Sequence, residues 1–170
     1  MPLRSGPERR NLRLAGWDYR SPGPYGVTLV TQHREWRFGE VVDGRMVLND
    51  AGSMVSVVWE EMAVAFSRAT LDAFVVMPNH LHAIVHPGHE DRAANPMLGD
   101  IVQRFKIVTT ARYSEGVHHK GWPPYDRRLW QNEYYDHIIR DAEDLARSRR
   151  YILANPANWD EDRDRVPVSY

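Results

Sequence analysis

The chain has 170 residues, 42% hydrophobic and 26% charged, with a formal net charge of −1. That length predicts one domain, and the composition excludes a collagen-like or wholly disordered chain. No cysteine is present, which excludes disulfides, thiolate zinc sites and cysteine nucleophiles.

No apolar run approaches the ~18 residues of a membrane helix. Met1 to Arg13 carries four arginines and no apolar core, so it does not read as a secretory signal. A cytoplasmic protein with no membrane partner is expected. The net charge argues against a strongly electrostatic nucleic-acid binder. Its distribution is uneven, however. Residues 1–20 hold five Arg against Glu8 and Asp18, and residues 101–150 hold ten Lys and Arg against seven acids, so each segment sums to +3. Twenty of the 22 basic residues are Arg, a side chain suited to bidentate phosphate contacts. GC-rich codon usage accounts equally well for that bias.

In chain order, residues 1–24 read as an irregular basic arm closed by the turn cluster Ser21-Pro22-Gly23-Pro24. Tyr25 to Gln32, β-branched and aromatic, predicts a strand. Asp43-Gly44 between two alternating runs predicts a small hairpin within 36–48. Asn49 or Asp50 then caps a helix to about Arg68. Leu71 to Met77 and Leu81 to His86 read as strands joined so tightly that they must pair antiparallel. A helix over about Leu98 to Ser114, a loop over Gly116 to Asp126, a short strand over Tyr134 to Ile139 and a helix over Asp141 to Ala154 complete the pattern. Without the hairpin this is βαββαβ, an α+β ferredoxin-like antiparallel sheet with a helix appended. The expected division is an arm over 1–24, one domain over 25–159 and a tail over 160–170.

Two places invite chemistry. Residues i and i+2 of a strand share a face, so His80 and His82 present two imidazoles side by side, a two-point clamp for a metal ion. Two histidines on a wet sheet face fit the same spacing. A (β/α)₈ barrel, which also uses such pairs, needs ~200 residues or more and is excluded by length. On the last helix, stepping ~100° per residue gathers Ala142, Leu145, Ala146, Ile152 and Leu153 into an apolar stripe. Tyr151 falls on the other side, one turn from Asn155. A surface tyrosine beside a C-terminal asparagine is one reading. A phenol that attacks while the amide holds a metal is the other. Tyr134 and Tyr135 sit in a predicted strand, where packing is the better reading. His137 is either a packed strand residue or a helper at the site.

Met77-Pro78-Asn79-His80-Leu81-His82 resembles the HUH motif (His, bulky hydrophobe, His) of single-tyrosine transposases, above all the REP-associated tyrosine transposases. Trp130 to Arg140 resembles the same family, as do Arg150-Tyr151-Ile152-Leu153-Ala154-Asn155-Pro156 with Trp159, and Arg9 to Gly23. Together these stretches span nearly the whole chain in the family's order.

The resemblance implies metal-dependent nicking and strand transfer on single-stranded DNA through a 5′-phosphotyrosine, at hairpin-forming repeats. By motif position it makes His80, His82 and Asn155 the ligands of Mg²⁺ or Mn²⁺ and Tyr151 the nucleophile, while His137 matches a recurrent histidine of open role. Phosphate contacts would fall to Arg9, Arg10, Arg13 and Arg20 in the arm and to Arg104, Lys106 and Arg112 on the second long helix. A homodimer is open, since related transposases act as dimers or as monomers. Two other functions compete: a domesticated hairpin-DNA-binding module without transposition, and a phosphohydrolase using the histidine pair with water as nucleophile.

Overall fold

Tyr25–Val30 forms β1, the strand around which the sheet is organised. The computed structural model describes residues 14–166. Gly39–Val42 (β2) and Arg45–Leu48 (β3) make the small hairpin, and Asp50–Ala65 is α1. Thr70–Met77 (β4), His80–His86 (β5), Leu98–Lys120 (α2), Tyr135–Ile138 (β6) and Ala142–Ala154 (α3) follow. The main sheet has the order β4-β5-β1-β6 and every pair in it is antiparallel. Apart from the hairpin, the second, third, first and fourth strands of a βαββαβ series lie side by side. This is the α+β ferredoxin-like arrangement that the sequence pattern predicts.

Alternation along the strands gives the sheet two different faces. Tyr25, Val27, Leu29, Leu81, Ala83 and Val85 join Trp59, Phe105 and Trp130 in the main core with α1 and α2. Each such buried side chain contributes roughly 1.5–3 kcal/mol. On the opposite face a much smaller cluster of Ile84, Ile139 and Ile152 packs with Ala73, Val75 and Leu145. Helix α3 therefore rests on little hydrocarbon, and the rest of that face is polar.

Local signals explain most boundaries. Asp43 and Gly44 have φ of 50° and 70°, the left-handed pair that a two-residue turn of this twist requires. Asn49 caps α1, its side chain accepting from the Gly52 N–H at 2.8 Å. Asp141 caps α3 in the same way through the Asp144 N–H.

Helix α2 is the main departure from expectation. It continues through Gly116 to Lys120 and stops at Gly121, whose φ is +70°. Gly116 marks no break, because its missing Cβ makes room for a neighbouring ring. A Cβ there would lie 2.1 Å from Trp122 Cε3.

The buried stripe of α3 also differs. Asp144, Leu145, Ser148, Ile152 and Asn155 face inward, while Leu153 is 71% exposed. The stripe is rotated by about a quarter turn from the one drawn through the apolar residues alone. Two of its members are polar residues that the protein buries with partners or beside the site.

Residues 14–24 fold onto the domain: Tyr19 is buried, its hydroxyl accepts from the Leu14 N–H, and Trp17 Nε1 donates to Tyr25 Oη. Among the described residues no helix is long and apolar enough to cross a membrane.

Candidate metal and phenol site

Strand β5 turns His80 and His82 toward α3, and both are buried, at 0% and 6% exposure. Their rings meet edge to face, 4.5 Å between centroids. Asn79 fixes the first of them. Its amide nitrogen donates to the carbonyls of Arg34 and Asp164, so its Oδ1 accepts from His80 Nδ1 at 2.8 Å. His80 Nε2 therefore carries a lone pair. His82 Nδ1 bonds Thr28 Oγ1 at 2.8 Å, which leaves Nε2 pointing away from the strand. Both Nε2 atoms are buried without a hydrogen-bond partner. Burial pushes both imidazoles down to about 3, so at neutral pH they are uncharged donors of electron pairs.

Helix α3 brings the next two residues. The Tyr151 ring stands edge to face on His82, 5.4 Å between centroids, and the residue is 54% exposed. Its phenol is raised above the usual value of 10.0, first by burial and then by Asp162 and Asp164, while Arg163 and the Asn155 side chain oppose the shift. Asn155 ends α3, is 3% exposed, and its Oδ1 is buried with no hydrogen-bond partner. The asparagine side chain acts on both His80 and Tyr151. Four residues from two distant stretches thus converge on one small volume.

A fifth member comes from residues expected to form a tail. After α3, Pro156–Glu161 makes a 3-10 turn that presses Trp159 against His80, at 5.9 Å between centroids, and against Trp36, at 5.5 Å. The hairpin supports this turn, since a Cβ on Gly44 would lie 3.5 Å from Ala157 Cα. Asp162 follows, with its Oδ2 3.7 Å from His80 Nε2. His80, His82 and Asp162 offer three ligand atoms within 4.8 Å of one another, a group that could hold a metal ion. Three buried, unpartnered nitrogen and oxygen atoms and one carboxylate suit a divalent cation that accepts nitrogen and oxygen donors. Sequence reasoning missed Asp162, Asn79 and Thr28 as parts of this arrangement. Asp162 carries no spacing signal, whereas Thr28 follows from strand register once β1 is laid opposite His82.

The other predicted residues lie elsewhere. His137 on β6 bonds Asp144 at 3.0 Å, in a cluster with Arg147 at the start of α3, apart from the imidazole pair. Arg9, Arg10 and Arg13 lie outside the described residues. Arg20 and Arg104 are exposed and, among the described residues, form no ion pair. Arg112 makes a bidentate pair with Glu61. Lys106 turns its ammonium onto the carbonyls of Gln131, Asn132 and Glu133. Tyr134 packs in the core beside Lys106, and Tyr135 lies on β6 opposite Thr28.

No family model matches the chain. An uncharacterised protein of Haemophilus influenzae is 32% identical over 174 aligned positions, spanning 91% of this chain and 92% of that protein. The two belong to one family. Two solved structures share the fold at 18% identity. One is a REP-associated tyrosine transposase bound to a REP hairpin, with a TM-score of 0.58, covering 92% of this chain and 74% of that one. The other is a proposed transposase of Deinococcus radiodurans, with a TM-score of 0.51, covering 89% of this chain and 96% of that one.

Proposed function

We propose that this member of the Haemophilus influenzae protein's family is a transposase-like enzyme that nicks and transfers single-stranded DNA, with Tyr151 as nucleophile. The observation that carries the reading is the exposed Tyr151 ring seated on His82, beside an imidazole pair whose Nε2 atoms are buried and unpartnered. The shared fold with two transposases, one of them bound to a DNA hairpin, supports the same reading.

The division of labour follows from the side chains. His80, His82 and Asn155, with the Asp162 carboxylate nearby, would hold Mg²⁺ or Mn²⁺. A divalent cation supplies Lewis-acid stabilisation of charge on phosphoryl oxygens and on the departing 3′ oxygen. Tyr151 Oη attacks phosphorus as its proton leaves, and the bond from phosphorus to the 3′ oxygen breaks. That oxygen takes up a proton and becomes a 3′-hydroxyl, while the 5′ side stays on the protein as a phosphotyrosine. A second 3′-hydroxyl can reverse the exchange, so joining needs no nucleotide cofactor. Burial holds the phenol protonated at neutral pH, so the attack requires a base. The exposed Arg163 acts on the phenol as a positive charge suited to phosphate.

The test is incubation of the protein with MnCl₂ and an end-labelled hairpin-bearing single strand, followed by denaturing electrophoresis. A covalent protein–DNA adduct is expected. Tight hairpin binding without an adduct would favour the binding module retained without transposition. Phosphodiester turnover that survives Tyr151→Phe would favour the water-using phosphohydrolase.

A further inference from the structure

Asp162 and His80 face each other in a way that needs an explanation. Asn79 spends both amide hydrogens on backbone carbonyls, so His80 Nδ1 must be its donor and His80 Nε2 must be bare. Asp162 Oδ2 lies 3.7 Å from that nitrogen, on a side chain only 5% exposed. Two electron-pair donors in a buried setting repel at that separation, and a cation between them turns the repulsion into attraction. The carboxylate is not free to turn aside, because its Oδ1 accepts the Asp164 N–H at 2.7 Å. His82 Nε2 and Asn155 Oδ1, likewise buried and unpartnered, belong to the same volume.

The segment bearing Asp162 starts where α3 ends. Besides the Trp159 contacts, it is tied down by Asn79 to the Asp164 carbonyl, by Trp36 Nε1 to the Arg165 carbonyl, and by Arg34 against Asp164 at 3.3 Å. Each of these ties joins it to the loop after β1 or to the turn before His80. None reaches across the imidazole pair. The Asp162 carboxylate, by contrast, groups with both imidazole nitrogens.

We propose that Asp162 is an anionic ligand of the cation, and that cation binding clasps residues 156–166 across His80 and His82. The inference rests on the reading of the two histidines as a metal pair. Its consequence concerns Tyr151: the C-terminal end of α3 is held to the sheet from Asn155 on one side and Asp162 on the other, so the position of the phenol depends on the ion.

Hydrogen–deuterium exchange and calorimetry with MnCl₂ on the full chain test this without any nucleic acid. Saturating Mn²⁺ is expected to slow exchange across 156–166 in the wild type. Asp162→Asn should remove that protection and weaken Mn²⁺ binding by about tenfold or more. Asp160→Asn, which alters an exposed carboxylate paired with Arg165, should change neither. Mn²⁺ binding by Asp162→Asn equal to wild type would overturn the ligand assignment. Binding in the wild type with no protection of 156–166 would overturn the clasp, and needs no variant to fold. If Mn²⁺ binds, is lost in His82→Ala and ignores Asp162, this inference alone fails. If the wild type binds no Mn²⁺, the metal reading of the histidine pair fails with it.

Discussion

The edge of the Tyr151 ring rests on the His82 ring at 5.4 Å and an interplanar angle of 69°. One partner is more than half exposed and the other is buried. The contact therefore sits at the mouth of the site, where a phenol can meet solvent-borne substrate while the imidazole stays dry. The small hydrocarbon cluster beneath α3 does not dictate this placement by itself. Asn155, Trp159 and the Asp72–Arg149 pair complete the docking of that helix.

Tyr151→Phe keeps the ring and removes only the nucleophilic oxygen. Because Tyr151 is more than half exposed and the one neighbour of note at its hydroxyl is the Asn155 side chain, stability should change by less than about 1 kcal/mol. The covalent adduct with hairpin DNA should vanish while hairpin affinity stays within twofold or so. Denaturing gels and fluorescence anisotropy measure the two quantities separately. An adduct that persists would pass the role to Tyr135, since Tyr134 is buried in the core.

The strand and hairpin pattern was legible because period-two alternation and Asp-Gly turn chemistry are local properties. His80 and His82 were legible as a pair for the same reason. What could not be read locally came from burial of polar groups. Asp144 and Asn155 face inward on α3, which turns the buried stripe away from the apolar residues and leaves Leu153 in solvent. Gly116 looked like a helix end because its value lies in making room for Trp122, a contact set only once the loop folds back. Asp162 was invisible, since an acidic residue in a charged C-terminal stretch carries no period and no motif. Its role depends on Trp159 and Asp164 anchoring the chain around it. Lys106 reads as a phosphate contact by composition, yet the loop after α2 offers it three carbonyls.

Asn79 is the fixed point of the site, fully buried with three hydrogen bonds. Asn79→Ala should lower stability by about 2–4 kcal/mol, since it leaves buried carbonyls and the His80 ring without partners. The same change frees the His80 tautomer. Nitrogen chemical shifts of labelled histidine should show the Nδ1–H form losing its dominance in the variant. If His80 keeps that form in a folded Asn79→Ala chain, the amide does not set the tautomer.

Arg149 on α3 grips Asp72 on β4 through two bonds, at 2.8 and 2.6 Å. This guanidinium is the main reason the Asp72 carboxyl falls to about 2, with the Ala73 N–H and His86 adding to it. A carboxyl depressed in the folded chain stabilises at any pH above its unfolded value near 4, and that stability is lost as pH falls toward 2. Arg149 is about half exposed, so solvent screening leaves the pair contributing well below the full linkage value. In Asp72→Asn the slope of stability against pH between 4 and 2 should flatten, as measured by denaturant titration at several pH values. An unchanged slope would mean that α3 docks without this pair.

Lys106 and Arg104 lie two residues apart on α2 and should behave oppositely. Burial lowers the Lys106 ammonium from 10.5 to about 8, with Arg128 adding to the shift, while its three carbonyl contacts hold the loop at 131–133. The folded chain releases this proton more readily than the unfolded chain, so stability should rise with pH between about 8 and 10.5. Lys106→Met should abolish that rise and leave the salt dependence of DNA binding unchanged, because the ammonium is already committed to the fold. Arg104, exposed and with no ion pair among the described residues, is free to meet phosphate. Arg104→Ala should reduce the slope of log affinity against log salt by about 1. If Lys106→Met lowers that slope as Arg104→Ala does, the lysine leaves its carbonyls to bind DNA and the loop is held by something else.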